Sequence, residues 1–184
     1  MRGFTLIELI VSIGIFMMFL AVGLGALLSL IDANKQARAV STVVNNVSFA
    51  LESMAREIRL GTTYYCGYSV MEETQDCATT PFPGISFTSQ EDPYSGARTR
   101  ISYRVSGGTQ LQKQVGAGGA FQDVLGSEVE LTEFHVFVSG SDPLDPVQPK
   151  ATLIIRGFTK EEAVGVRTPI NVQTTVSQRI FDLN

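Results

Sequence analysis

The 184-residue chain has one histidine, two cysteines, no proline before Pro81, and no charged residue between Leu9 and Ile31. Each scarcity excludes something. A hydrolytic triad needs a general base beside its nucleophile. The one imidazole, His135, lies among Phe134, Val136 and Phe137 in a segment that reads as a strand, where packing is expected rather than catalysis. Two cysteines with no CxxC and no companion histidine give a zinc site little support. GxSxG, Walker A and GxGxxG fingerprints are absent, and the glycines at 116–119 lack the Lys and Ser/Thr that complete a phosphate loop. The net charge is −4, and Arg98, Arg100 and Arg104 alternate with uncharged residues as on a solvated strand face. Direct nucleic-acid binding would need clustered Lys and Arg and is not expected. The chain reads as a non-enzyme with no cofactor and no catalytic residue.

What is present is concentrated at the start. The uncharged run from Leu9 to Ile31 is long enough for the roughly 20 apolar residues that cross a bilayer core. It exceeds the apolar core of about 7–15 residues in a secretory signal peptide and leads into a helical pattern without a small-residue cleavage site. An anchor is expected, with Arg2 on the cytoplasmic flank and the remainder outside. Glu8 breaks the apolar character just before the run. A carboxylate in such a place costs on the order of 2.5–3.5 kcal/mol at the centre of a membrane helix and marks a specific partner. Beyond the run, Ala33, Ala37, Val40, Val44, Val47, Leu51, Met54 and Ile58 recur at steps of four and three, one stripe of a helix. A single helix is predicted from Phe4 to Leu60, about 85 Å at 1.5 Å per residue. Gly61 suits its C′ position, with Arg56 and Arg59 favouring the dipole of its last turns. The stripe is expected to face a sheet of the same chain, with a coiled-coil dimer as the alternative.

Gly3-Phe4-Thr5-Leu6-Ile7-Glu8, after a short leader containing Arg2 and before a long apolar helix, resembles the prepilin signal of type IV pilins and type II secretion pseudopilins. The resemblance implies cleavage between Gly3 and Phe4 by a membrane prepilin peptidase, N-methylation of Phe4, and assembly through Glu8 paired with a neighbouring subunit's new ammonium group. It implies a cytoplasmic-membrane protein, single-pass with its N-terminus inside, later part of an extracytoplasmic filament. The implied partners are the peptidase, other pilin or pseudopilin subunits, the membrane platform of the assembly machine, and lipid before assembly. Pilins often carry a helix-breaking proline where this chain has Gly25. The stretch from Phe49 to Arg59 looks most like minor pilins and pseudopilins. A tip-located adhesion or DNA-uptake subunit is the second reading, and a signal-anchored extracytoplasmic enzyme a remote third.

The resulting fold class is α+β: a pilin-like N-terminal helix packed on a C-terminal antiparallel sheet. The segments are a leader (1–3), an apolar half-helix (4–31), an amphipathic half-helix (32–60) and a β-rich head (61–184). If the head lies outside the cytoplasm, a disulfide between Cys66 and Cys77 is expected, with two free thiols as the alternative. Major pilins usually close a C-terminal loop with their disulfide, so these positions also favour a minor subunit. Cys66 to Gly96 reads as an irregular connection with a short strand at Ile85–Thr88. Alternation predicts a strand at Arg100–Val105, a Gly107-Gly108 hairpin into Gln110–Val115, and strands at Val129–Val138, Thr152–Phe158 and Ile170–Val176. Asp142 with Asp145, or Glu72, Glu73 and Asp76, offer oxygen ligands for calcium without EF-hand spacing; a solvated loop is expected instead.

Overall fold

The computed structural model describes residues 4–68, 73–92, 94–142, 146–160 and 167–179. Its first element is one uninterrupted helix, α1, Leu6–Leu60. The chain divides into two compact units, Met1–Val40 and Ser41–Asn184. In the first, residues 4–35 are all exposed, and from Leu9 to Ile31 the exposed surface is free of charge all round the helix.

The second unit combines the last turns of α1 with two antiparallel sheets. The first sheet holds β1 (Thr62–Cys66), β2 (Gly84–Thr88), β3 (Arg100–Ser106), β4 (Gln110–Val115) and β5 (Gln122–Asp123), in that spatial order. The second holds β6 (Val129–Ser139), β7 (Lys150–Thr159) and β8 (Pro169–Ser177). Helix and sheets share one core. The α+β class, with the helix packed on antiparallel sheet, is therefore as the alternation of periods predicts.

The buried face of α1 differs from the predicted stripe. Val43, Val47, Ala50, Leu51, Met54 and Ile58 are buried, whereas Ala33, Ala37 and Val44 are exposed. Alternating steps of four and three average 3.5 residues, and such a row drifts by about 20° per heptad around a straight helix of 3.6. Adjacent Ala50 and Leu51 widen the buried face beyond a narrow two-position seam, as a helix facing a globular core requires. This face is occupied within the chain, which corrects the coiled-coil alternative.

In the second sheet, one bulge keeps the core side apolar. Val129 and Leu131 of β6 are buried, then Phe134, Val136 and Val138, and the alternation changes phase where the register with β7 shifts between Leu131 and Glu133. Without the extra residue, the later three side chains would turn to the opposite face. Across the sheet, Val138, Ala151 and Val176 form one cross-strand row and Phe134, Ile155 and Val172 another. The Gly107-Gly108 hairpin is as predicted, both glycines at positive φ (59° and 78°).

β1 was not among the predicted strands. β1 lies in a Thr-Thr-Tyr-Tyr stretch without alternation. Thr63 adopts φ 50° there, and the register with β2 shifts between Thr62 and Tyr65. β2, by contrast, is the short strand predicted at Ile85–Thr88, one residue longer at its start and buried along its whole length.

The C-terminal turn of α1 is held by side chains and by distant backbone. The Tyr64 hydroxyl donates to the carbonyls of Ile58 (2.5 Å) and Gly61 (3.1 Å), and the Arg179 N–H, just past β8, donates to the Arg59 carbonyl at 2.8 Å. The carbonyls of Ile58 and Arg59 are among those a helix end leaves without the usual partner four residues on. One turn earlier, Glu57 accepts from the Tyr103 hydroxyl (2.7 Å) and from Lys113 Nζ (2.5 Å), tying the helix to β3 and β4. Burial, reinforced by the hydrogen bond and charge of Glu57, raises the Tyr103 phenol far above its ordinary range, so it remains a donor.

Gly61 is not in the left-handed conformation of a glycine cap, which corrects its predicted role. A Cβ there would lie 2.5 Å from Cδ2 of Phe87, a ring fully buried in β2. The glycine is required by close approach. The next constraint is covalent. Cys66, in β1, is joined to Cys77, with Cα atoms 6.1 Å apart. Cys77 donates its N–H to Val138 of β6 (2.9 Å), and Gln75 bonds the β1 backbone through its N–H to Tyr64 O (2.9 Å). The disulfide thus joins the edge strand of the first sheet to a segment hydrogen-bonded to the second.

Gly61→Ala is expected to lower stability by about 1–3 kcal/mol through overpacking against Phe87, and Gly61→Asn to lower it further. An asparagine as well tolerated as glycine in thermal unfolding would restore the left-handed cap. Reduction, or paired Cys66→Ala and Cys77→Ala, should remove about 3 kcal/mol in the chain-entropy account. An unchanged unfolding midpoint under reductant would show the cross-link to be dispensable.

Candidate functional site

The region to which the sequence points is the start of α1. Thr5 precedes the first helical residue, and its carbonyl accepts the N–H groups of Glu8 (3.1 Å) and Leu9 (3.3 Å). Thr5 is therefore the N-cap and Glu8 the N3 residue, the positions of a Thr-x-x-Glu capping box. This signal is present in the sequence alone, on the same glutamate that stands out as an isolated charge. Among the described residues no side-chain bond closes the box, and Glu8 has no cationic partner. Its carboxylate is exposed in the first turn, where the helix dipole favours a negative charge. Phe4 is 83% exposed, and Gly3 and Arg2 lie outside the described residues. By length and composition, α1 is long and apolar enough to cross a membrane.

The acidic residues considered for calcium are brought together in part. Asp76 accepts from the N–H of Gly140 (2.8 Å) through one carboxylate oxygen, and from the N–H (2.9 Å) and hydroxyl (2.5 Å) of Ser141 through the other. The two acidic loops therefore meet, because Ser141 adjoins Asp142. Asp76 spends its oxygens on the turn after β6, where Gly140 takes φ 74°. Glu72 and Asp145 lie outside the described residues, among which no group of three or more His, Cys, Asp or Glu is placed to hold a metal ion. His135 pairs across the ladder with Ile154 and is partly buried on the face opposite Phe134 and Val136. Cys66 and Cys77 are consumed by their disulfide.

The arginines of β3 and the preceding loop depart from the predicted solvated face. Arg100 is 7% exposed and donates to the Thr63 carbonyl (2.7 Å) and the Thr88 hydroxyl (3.2 Å), so it cements β1 and β2. Arg104 lies over the Phe121 ring, 3.4 Å from its centroid, with Tyr68 further off at 5.7 Å. Only Arg98 keeps the expected setting, in an exposed pair with Glu91 at 3.6 Å. The alternation was correct; the loops that cover this face of the sheet were not legible from β3 alone.

Residues 1–24 match the family model described as the prokaryotic N-terminal methylation motif. No curated protein and no solved structure matches the chain. The matched segment comprises Gly3, Phe4, Thr5 and Glu8 and most of the exposed apolar turns of α1. By this segment the chain is identified as carrying the N-terminal methylation signature of type IV pilins and pseudopilins.

Proposed function

We propose that the protein is a minor subunit of a type IV pilus or of a type II secretion-like pseudopilus, held in the cytoplasmic membrane by α1 and then assembled through it. The carrying observation is the Gly3-to-Glu8 hexapeptide at the head of a helix whose apolar turns are exposed. An all-round apolar helix needs either lipid or other helices around it. Prepilin peptidase cuts after Gly3, and Phe4 becomes the methylated N-terminus. Glu8 pairs with the ammonium group of a neighbouring subunit, because an uncompensated carboxylate among packed apolar helices is strongly disfavoured. The assembly machine's platform and the other subunits supply the remaining contacts. Motive force comes from a separate nucleotide-hydrolysing protein, and the head acts by packing and contact rather than by catalysis. The early disulfide, at Cys66 and Cys77, supports a minor over a major subunit.

Mass spectrometry of the protein from filament-forming cells is expected to find N-methylated Phe4 at the N-terminus. Retention of Met1 would sink the processing step. Glu8→Ala should insert in the membrane yet fail to enter filaments. Glu8→Gln separates charge from capping, since glutamine serves at N3 of a capping box but cannot pair with an ammonium. It is expected to fail as alanine does. Normal incorporation of the glutamine variant would refute the ion pair.

A further inference from the structure

Four strands lie at sheet edges: β1 and β5 in the first sheet, β6 and β8 in the second. Three are blunted. β1 is covered by Gln75, whose carbonyl accepts the Cys66 N–H. β5 has two residues. β6 exchanges hydrogen bonds with Phe82 through Val136, and accepts the Cys77 N–H at Val138.

The fourth is different. β8 runs nine residues, Pro169–Ser177, and pairs with β7 throughout without a register shift. It carries no charged residue, and its only proline is the first position. Among the described residues nothing pairs with its outer side. Folded proteins protect a free edge by shortness, charge, internal proline, a bulge or a cover, because an open row of N–H and C=O groups templates further pairing. Among the described residues β8 has none of these devices. Its core side is also incomplete: Ile170 and Val176 are buried, but Val172 and Thr174 between them are only partly covered.

We propose that β8 is an acceptor edge to which another polypeptide adds an extended strand. The strand would alternate apolar residues toward the side of Val172 and Thr174 and carry carboxylates at its flanks. Main-chain bonds supply affinity in such augmentation, and alternate side chains and flanking charge supply selection. The charges beside β8 identify the occupant. Arg167 precedes it, Arg179 follows it, and Lys150 of β7 lies opposite Ser177. Arg167 has only an exposed pair with Glu130 at 3.6 Å, of the kind worth little in water. A second copy, antiparallel and in full overlap about Gln173, would place Arg167 of each copy opposite Arg179 of the other. Like charges so placed disfavour self-pairing, whereas a strand flanked by acids meets two arginines. The inference rests on the edge itself and stands apart from the filament reading.

The test uses the full chain in detergent micelles and two synthetic peptides of alternating Thr and Val, one ended on both sides by Glu and the other by Lys. Hydrogen exchange is expected to slow in residues 170–176 with the Glu-ended peptide, which should bind about tenfold more tightly than the Lys-ended one. Arg167→Glu with Arg179→Glu, both exposed, should reverse that preference. Adjacent residues of an antiparallel strand point their N–H groups to opposite sides. One of Gln173→Pro and Thr174→Pro should therefore keep native unfolding while abolishing peptide protection. If both prolines unfold the head, the charge reversal still decides. No protection by either peptide, or equal protection by both, overturns the proposal. Concentration-dependent protection without peptide would assign the edge to a second copy and overturn the chosen occupant.

Discussion

The dominant constraint is that one unbroken helix must satisfy two kinds of surroundings. From Leu9 to Ile31 it has no charge and is exposed throughout; from Val43 to Ile58 it contributes a buried face to a mixed core. Helix hydrogen bonding is satisfied internally in either setting, so the backbone need not change where the surroundings do. The side chains carry the change. Asp32 and Lys35 mark it in sequence, and the burial of Val43 completes it. A soluble helix would have needed a polar side along its first turns, and a purely membrane helix would have had no use for Glu57.

At the head, the consequence is that the helix end must be held firmly. The last turn takes hydrogen bonds from Tyr64 and from the Arg179 backbone, from opposite ends of the strand-forming sequence. Glu57 adds the bonds from Tyr103 and Lys113 of two strands in the first sheet. The chain thereby closes on itself: the segment after β8 returns to the helix that precedes β1. The Cys66–Cys77 bridge works toward the same end, because it constrains the connection through which the first sheet meets the second.

The long-range parts of this arrangement were the least legible in the sequence. The helix, its N-terminal signal and the strands with strict alternation were readable, because periods of 3.6 and 2 leave a local imprint. The alternation of Ile170, Val172, Thr174 and Val176 is a case where the imprint is complete. Gly61 shows where it stops: a glycine at a helix end looks the same whether the backbone needs positive φ or a buried Phe87 ring needs space. The bulge in β6 and the strained Thr63 of β1 likewise depend on partner strands distant in the chain. Arg100 read as a surface charge because nothing local announces that β1 and β2 will surround it. The capping box at Thr5 and Glu8 is local and written in the sequence, but the same glutamate is also the isolated charge ahead of the apolar run, so one residue carries two signals.

That double character of Glu8 can be weighed. As an acid in the first turn it gains from the helix dipole about 0.3–1 kcal/mol at an exposed site. Within a bilayer or a bundle of apolar helices the same charge costs several times more, on the order of 2.5–3.5 kcal/mol at the membrane centre by insertion scales. The local gain is too small to hold the carboxylate there by itself. A serine or threonine N-cap with an uncharged glutamine would cap the helix about as well, so capping alone gives no reason for the charge. The excess cost can be met at the aqueous boundary or by a cation. α1 supplies none from Leu9 to Ile31, and among the described residues no cation reaches Glu8. A cation brought by another subunit satisfies both requirements at once, and it does so only when that subunit sits at one axial position. This favours the proposed pairing as a register device: the energy that disfavours an isolated Glu8 becomes the energy that discriminates against every misaligned neighbour.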